Sequence, residues 1–173
     1  MEEAKLFKTL VLSYQNIFNF NGHQSRRSFL YYLVGLVIQE LFLSGLVIIT
    51  LHMRELMGNN VYSLIMTAVM GMIVAAWLIA LVLTTFSSYV RRLHDMGFSG
   101  VLYLIMLFVS FAITAFGRGA PVYVIISASL SLLFTLVLVV AQSKEEDNPY
   151  RTANPFLVRP DYVTEVFTMD DKE

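Results

Sequence analysis

Two groups of residues in this chain have types and spacings that could do chemistry. The first is Arg91-Arg92 with His94-Asp95 just beyond, together with Arg26-Arg27 much earlier in the chain. Guanidinium groups form paired hydrogen bonds to phosphate, so these residues, gathered at one membrane surface, would hold an anionic lipid headgroup or a phosphorylated ligand. Arginines flanking an apolar span also set its orientation, and that use needs no ligand. His94 and Asp95 are the residue types of an acid–base pair, yet neighbours on a helix diverge by about 100°, so adjacency alone makes no dyad. In the alternative, Asp95 holds an arginine and helps to close the turn. Three ligands from His23, His94 and Asp95 would follow no zinc spacing, and His52 is expected on the opposite side. No catalytic residue, cofactor or metal ligand is therefore assigned.

The second group is Gln39-Glu40, near the middle of a long apolar run. An ionised carboxylate at mid-membrane costs on the order of 3 kcal/mol, so Glu40 should be neutral or face a wet cavity. Three readings stay open. Glu40 is a proton-coupled or cation-binding site, or it donates as a neutral carboxyl to Thr67, Thr84, Ser110, Thr114 or Thr135, or it meets another chain in an oligomer.

These residues must be positioned by membrane helices. Of 173 residues 57% are hydrophobic and 14% charged, and the mean hydropathy is +0.65. Soluble domains hold only about 45–50% apolar residues. The net charge of −1 gives no basic surface for nucleic acid, and the absence of cysteine removes disulfides, thiol catalysis and thiolate metal sites. No Walker loop, dinucleotide fingerprint, serine elbow or zincin motif is present. The acidic Glu2-Glu3 start lacks a basic, then apolar, signal-peptide pattern, so the first span is expected to remain in the mature protein.

Apolar runs at about 29–51, 64–90, 100–116 and 122–142 approach the length of roughly 20 residues that crosses a bilayer as a helix. The expected fold is all-α, a polytopic protein with four transmembrane helices. Residues 1–28 form an N-terminal interfacial segment, 29–142 the membrane domain and 143–173 an acidic cytoplasmic tail. Phe7, Leu10, Val11, Tyr14, Ile17 and Phe18 recur at helical spacing, which predicts an amphipathic helix lying in the headgroup plane. Ser25 is placed to cap the first span, Gly97 to end the second, Ser99 to cap the third and Pro121 to open the fourth. Small residues four apart, such as Ser127 and Ser131, mark helix-contact seams. Ten of the twelve basic residues fall before the first span, between the second and third, or after the fourth, and only Arg54 and Arg118 fall elsewhere. Both termini are thus expected in the cytoplasm. Tyr150 to Phe156 is expected to pack on the cytoplasmic loops, with the last dozen residues solvated.

Three segments together resemble the bacterial inner-membrane family catalogued as domain of unknown function 805. They are Phe20-Asn21-Gly22-His23-Gln24-Ser25-Arg26-Arg27-Ser28-Phe29, then Arg91-Arg92-Leu93-His94-Asp95-Met96-Gly97-Phe98-Ser99-Gly100, then Asp147-Asn148-Pro149-Tyr150 leading to Asn154-Pro155. The resemblance implies a small four-helix membrane protein and carries no activity. The expected role is a non-enzymatic binding or accessory protein of the bacterial cytoplasmic membrane. Its partners would be membrane lipids, anionic ones included, and a second copy or another membrane protein. The competing expectations are a small proton-linked transporter or channel centred on Glu40 and an enzyme acting on lipid headgroups through His94 and Asp95.

Overall fold

The computed structural model describes residues 2–58, 60–150 and 154–158. The tail residues Arg151, Arg159, Asp161, Glu165, Asp170, Asp171, Lys172 and Glu173 lie outside them. The chain runs β1 (Glu2–Glu3), α1 (Leu6–Gln15), α2 (Arg26–Met57), α3 (Val61–Asp95), α4 (Val101–Phe116), α5 (Pro121–Val140) and β2 (Leu157–Val158). Three of the helices, α2, α3 and α5, are long and apolar enough to cross a membrane, and α4 is a shorter apolar helix.

Local chemistry explains the helix ends. The Ser25 hydroxyl accepts from the Ser28 amide at the start of α2, and the Asn60 side chain does the same for Ser63 at the start of α3. Pro121, which has no amide proton to lose, occupies the first turn of α5. Gly97 follows α3 at φ +83°, a left-handed conformation that carries no side-chain penalty for glycine. Ser99 accepts from the Val101 amide at 3.3 Å, whereas the residue flanking α4 is Gly100, with no side chain to cap it.

The helices pair as two antiparallel hairpins, α2 with α3 and α4 with α5, and the hairpins meet through α2–α5 and α3–α4 contacts. At 1.5 Å per residue α2 and α3 are about 48 and 52 Å long, against about 24 and 30 Å for α4 and α5. The helices of the first hairpin exceed the expected spans because helical backbone continues through the polar ends of the apolar runs.

Burial concentrates where the hairpins meet. Phe29, Tyr89, Val90, Leu93, Tyr103 and Leu138 form the core cluster. Phe29 meets Tyr89 edge-on at 5.3 Å and Tyr89 stacks on Tyr103 at 4.7 Å, geometries favoured by the ring quadrupoles. Away from this cluster large apolar side chains such as Leu41, Phe42, Val82 and Leu133 are exposed, as suits helices solvated by lipid rather than water. α1 packs on α2, with the Leu10 side chain filling the space a Gly35 side chain would take. β1 and β2 pair antiparallel, joining the start of the chain to the segment after α5.

Candidate functional site

α3 passes beyond its apolar stretch and ends in Arg91-Arg92-Leu93-His94-Asp95. Arg91 and Arg92 have 0% exposure and Asp95 has 1%. Being about 100° apart around the helix, the two arginines serve different neighbours. Arg91 Nη1 donates to the backbone carbonyls of Asn16 at 2.8 Å and Asn19 at 2.9 Å, where α1 ends. Its Nη2 reaches the Ser88 hydroxyl at 3.4 Å, and the Phe156 ring lies over the guanidinium at 5.3 Å. Arg92 Nε donates to the Leu138 carbonyl at 2.8 Å and Nη2 to the Ala141 carbonyl at 2.6 Å, where α5 ends. Its Nη1 bonds Asp95 and also the Ser143 hydroxyl at 3.3 Å.

Arg92 therefore caps the C-terminus of α5, and Arg91 holds the C-cap of α1 and the turn that follows it. The last carbonyls of a helix have no partner inside it and carry partial negative charge, so a guanidinium there satisfies acceptors and meets a favourable dipole. This matters most for Arg91, for which no ion pair exists among the described residues. Among the described residues its charge is met by carbonyl dipoles and an aromatic face.

The segment after α5 completes the arrangement. Asp95 accepts from the Ser143 hydroxyl, and the Lys144 amide donates to the Asp95 carbonyl at 2.9 Å. The Asn148 amide group donates to the His94 carbonyl at 2.7 Å, capping α3 in turn. Tyr150 stacks on the His94 ring at 5.0 Å. The Gln24 amide proton goes to the Arg91 carbonyl at 3.2 Å, which draws the strap between α1 and α2 onto the same surface. Both polar atoms of the Gln24 side chain, Arg91 Nε and His94 Nδ1 are buried without a hydrogen-bond partner.

Arg26 and Arg27 lie at this end of the molecule and are exposed. Arg26 reaches the Val140 carbonyl at 3.3 Å, and Arg27 bonds the Tyr31 hydroxyl at 3.2 Å. The structure thus brings the six sequence-selected polar residues to one end but divides them: Arg91, Arg92 and Asp95 are internal, His94 is partly buried, and Arg26 and Arg27 face outward. The sequence assigned no role to Asn16, Asn19 or Ser143, whereas Phe156 falls in the segment expected to pack at this end and is buried against Arg91. Asn148 and Tyr150 carried a signal, since they belong to the third segment of the family resemblance.

Gln39 and Glu40 separate as well. Gln39 accepts from the Tyr14 hydroxyl of α1 and donates to the Gly35 carbonyl at 3.2 Å. Glu40 is exposed, and no described residue hydrogen-bonds its side chain. Thr67, Thr84, Thr114 and Thr135, four of the hydroxyls expected to receive it, each donate to the carbonyl one turn back on their own helix, and among the described residues none of them bonds Glu40. Ser110 bonds the Met106 sulfur and lies 3.4 Å from the Ser131 hydroxyl, so a hydroxyl seam joins α4 to α5. Tyr89, whose hydroxyl is 2.8 Å from that of Thr135, is within electrostatic reach of Glu40. Among the described residues no cluster of His, Asp or Glu could hold a metal ion.

Fold and site together define a class: an all-α membrane protein whose helices are tied at one end by buried arginine caps. Residues 17–152 match the family model described as Protein of unknown function (DUF805), and the chain belongs to that family. Comparison with curated proteins and with solved structures gave no match.

Proposed function

We propose that the chain is a four-span protein of the bacterial cytoplasmic membrane, with both termini in the cytoplasm, that binds anionic lipid headgroups at the arginine end without catalysing a reaction. The observation that carries this reading is the division of labour among the arginines. Arg91 and Arg92 are buried and turned to carbonyls of the protein itself, while Arg26 and Arg27 stand exposed at the same end. Lys5 before α1 and Lys8 on it are exposed too, as are the rings of Phe7 on α1 and Phe18 beyond its end. Exposed aromatics interleaved with cations suit the boundary between acyl chains and headgroups. The orientation follows from the excess of basic residues at that end, and α4 completes the span count by thinning the bilayer locally around its 16 residues. Asp95 is committed to Arg92 and Ser143, and the His94 ring to Tyr150, which favours a structural over a catalytic use of that pair.

The test is native mass spectrometry of the full chain released from nanodiscs of mixed phosphatidylglycerol and phosphatidylcholine. Retained phosphatidylglycerol should fall severalfold in an Arg26→Gln, Arg27→Gln double variant. Unchanged retention overturns the reading.

A second reading rests on Glu40. An exposed carboxyl near the middle of α2, with no hydrogen bond to a described residue, is costly in lipid unless it is protonated or meets water or another chain. A proton-linked path beside the α4–α5 hydroxyl seam, completed by a second copy, would account for it.

A further inference from the structure

The far half of the α2–α3 hairpin contains a crevice of about 180 Å³ whose lining includes Met53 and Met57 from α2 and Met66 and Met70 from α3. We propose that this crevice is a binding site for a soft monovalent cation, copper(I) or silver(I), held by methionine sulfur. Each pair is spaced four residues apart, which sets both thioethers of a pair on one face of its helix. The helices are antiparallel neighbours, so the two faces oppose each other across the crevice. Four of the chain's nine methionines are thereby concentrated at one place.

The lining hydroxyls are neutral, hard oxygen donors turned toward backbone carbonyls, so sulfur is the donor a soft ion prefers. The Thr50 hydroxyl bonds the Leu46 carbonyl at 2.8 Å, Thr67 bonds Ser63 at 2.8 Å, and Ser63 bonds Gly58 at 2.6 Å. Leu46 and Ile49 are apolar, and Arg54 is a cation that carries no lone pair for a metal. Hard cations such as magnesium need several oxygen ligands, which this wall does not supply. Thioethers select closed-shell soft ions, which accept low coordination numbers and lose little by leaving water. Met53, Met57 and Met66 are also partly open to the outside, so an ion has a route in. The Arg54 charge opposes a cation at the rim, and the adjacent exposed Glu55 offsets it. Binding requires no redox step: the ion enters as the monovalent species and the sulfurs donate lone pairs.

The full chain in detergent micelles, in chloride-free buffer, is titrated with silver nitrate and followed by native mass spectrometry and calorimetry. Wild type should take up one silver ion per chain, with magnesium giving no heat. Replacing the pair Met53→Leu, Met66→Leu should weaken binding at least about tenfold, a loss of about 1.4 kcal/mol or more. Leucine matches methionine in volume, so the fold is kept, which far-ultraviolet circular dichroism verifies. Met96→Leu with Met106→Leu, outside the crevice, should change nothing. Absence of stoichiometric silver binding overturns the proposal, as does equal binding by wild type and the Met53→Leu, Met66→Leu variant. A retained acyl chain in place of silver does so too.

Discussion

Arg92→Leu is the sharpest test of the arginine caps. Leucine keeps much of the apolar stem but removes the bonds from Nε to Leu138 and from Nη2 to Ala141, the contact with Ser143 and the pair with Asp95. Asp95, with 1% exposure, is then left as a buried carboxylate held by one hydroxyl. Removing one member of a buried pair typically costs about 3–5 kcal/mol, most of it from the stranded charge. The two orphaned carbonyls contribute about 1 kcal/mol each within that total. Adding Asp95→Leu removes the stranded charge and leaves the carbonyls, so the double variant should recover about 1–3 kcal/mol and remain about 2 kcal/mol below wild type. Asp95→Leu alone should be milder than Arg92→Leu, because Arg92 keeps its carbonyl partners. The assay is reversible unfolding in mixed micelles by denaturing detergent, followed by helicity. The reasoning is refuted if Arg92→Leu lies within about 0.5 kcal/mol of wild type, or if the two single effects simply add.

Two further outcomes are expected. Gly35→Ile should drive the Leu10 side chain off α2 and break the Tyr14–Gln39 bond, costing about 1–3 kcal/mol; hydrogen exchange should quicken in residues 6–15 and stay unchanged in α4 and α5, and unaltered protection of α1 would contradict the packing described. If Glu40 carries protons, liposomes containing the protein should dissipate an imposed pH gradient and Glu40→Gln should abolish the flux; equal flux in both, or none in wild type, removes the second reading.

The sequence revealed much of the helical frame because its signals are local. Apolar runs locate the long helices, and Ser25, Gly97 and Pro121 act within a turn of their own position. The exact lengths of α2 and α3 were not legible, since hydropathy marks where lipid is expected and says little about where helical backbone stops. The directions of Arg91 and Arg92 were hidden for a different reason. Arginine flanking a span reads the same whether it meets water, a lipid phosphate or the end of another helix, and the choice is made by residues 46 to 75 positions away. The side on which Glu40 lies was equally illegible, because α2 is apolar on nearly all faces and offers no stripe to distinguish inside from outside. The β1–β2 pair is two residues per strand and too short to leave an alternating pattern.

The adjacent arginines also look in opposite directions along the chain. The carbonyls that receive Arg91 precede it by 75 and 72 residues, so they already exist when α3 emerges during synthesis. Those that receive Arg92 follow by 46 and 49 residues, and its hydroxyl partner by 51. One arginine meets its carbonyl acceptors as soon as it is made and only its Phe156 cover comes later, while the other must wait until α5 and the segment beyond it have been added. A chain that stops before Leu138 leaves that second guanidinium with Asp95 alone, so the end of α3 registers whether α5 has been added.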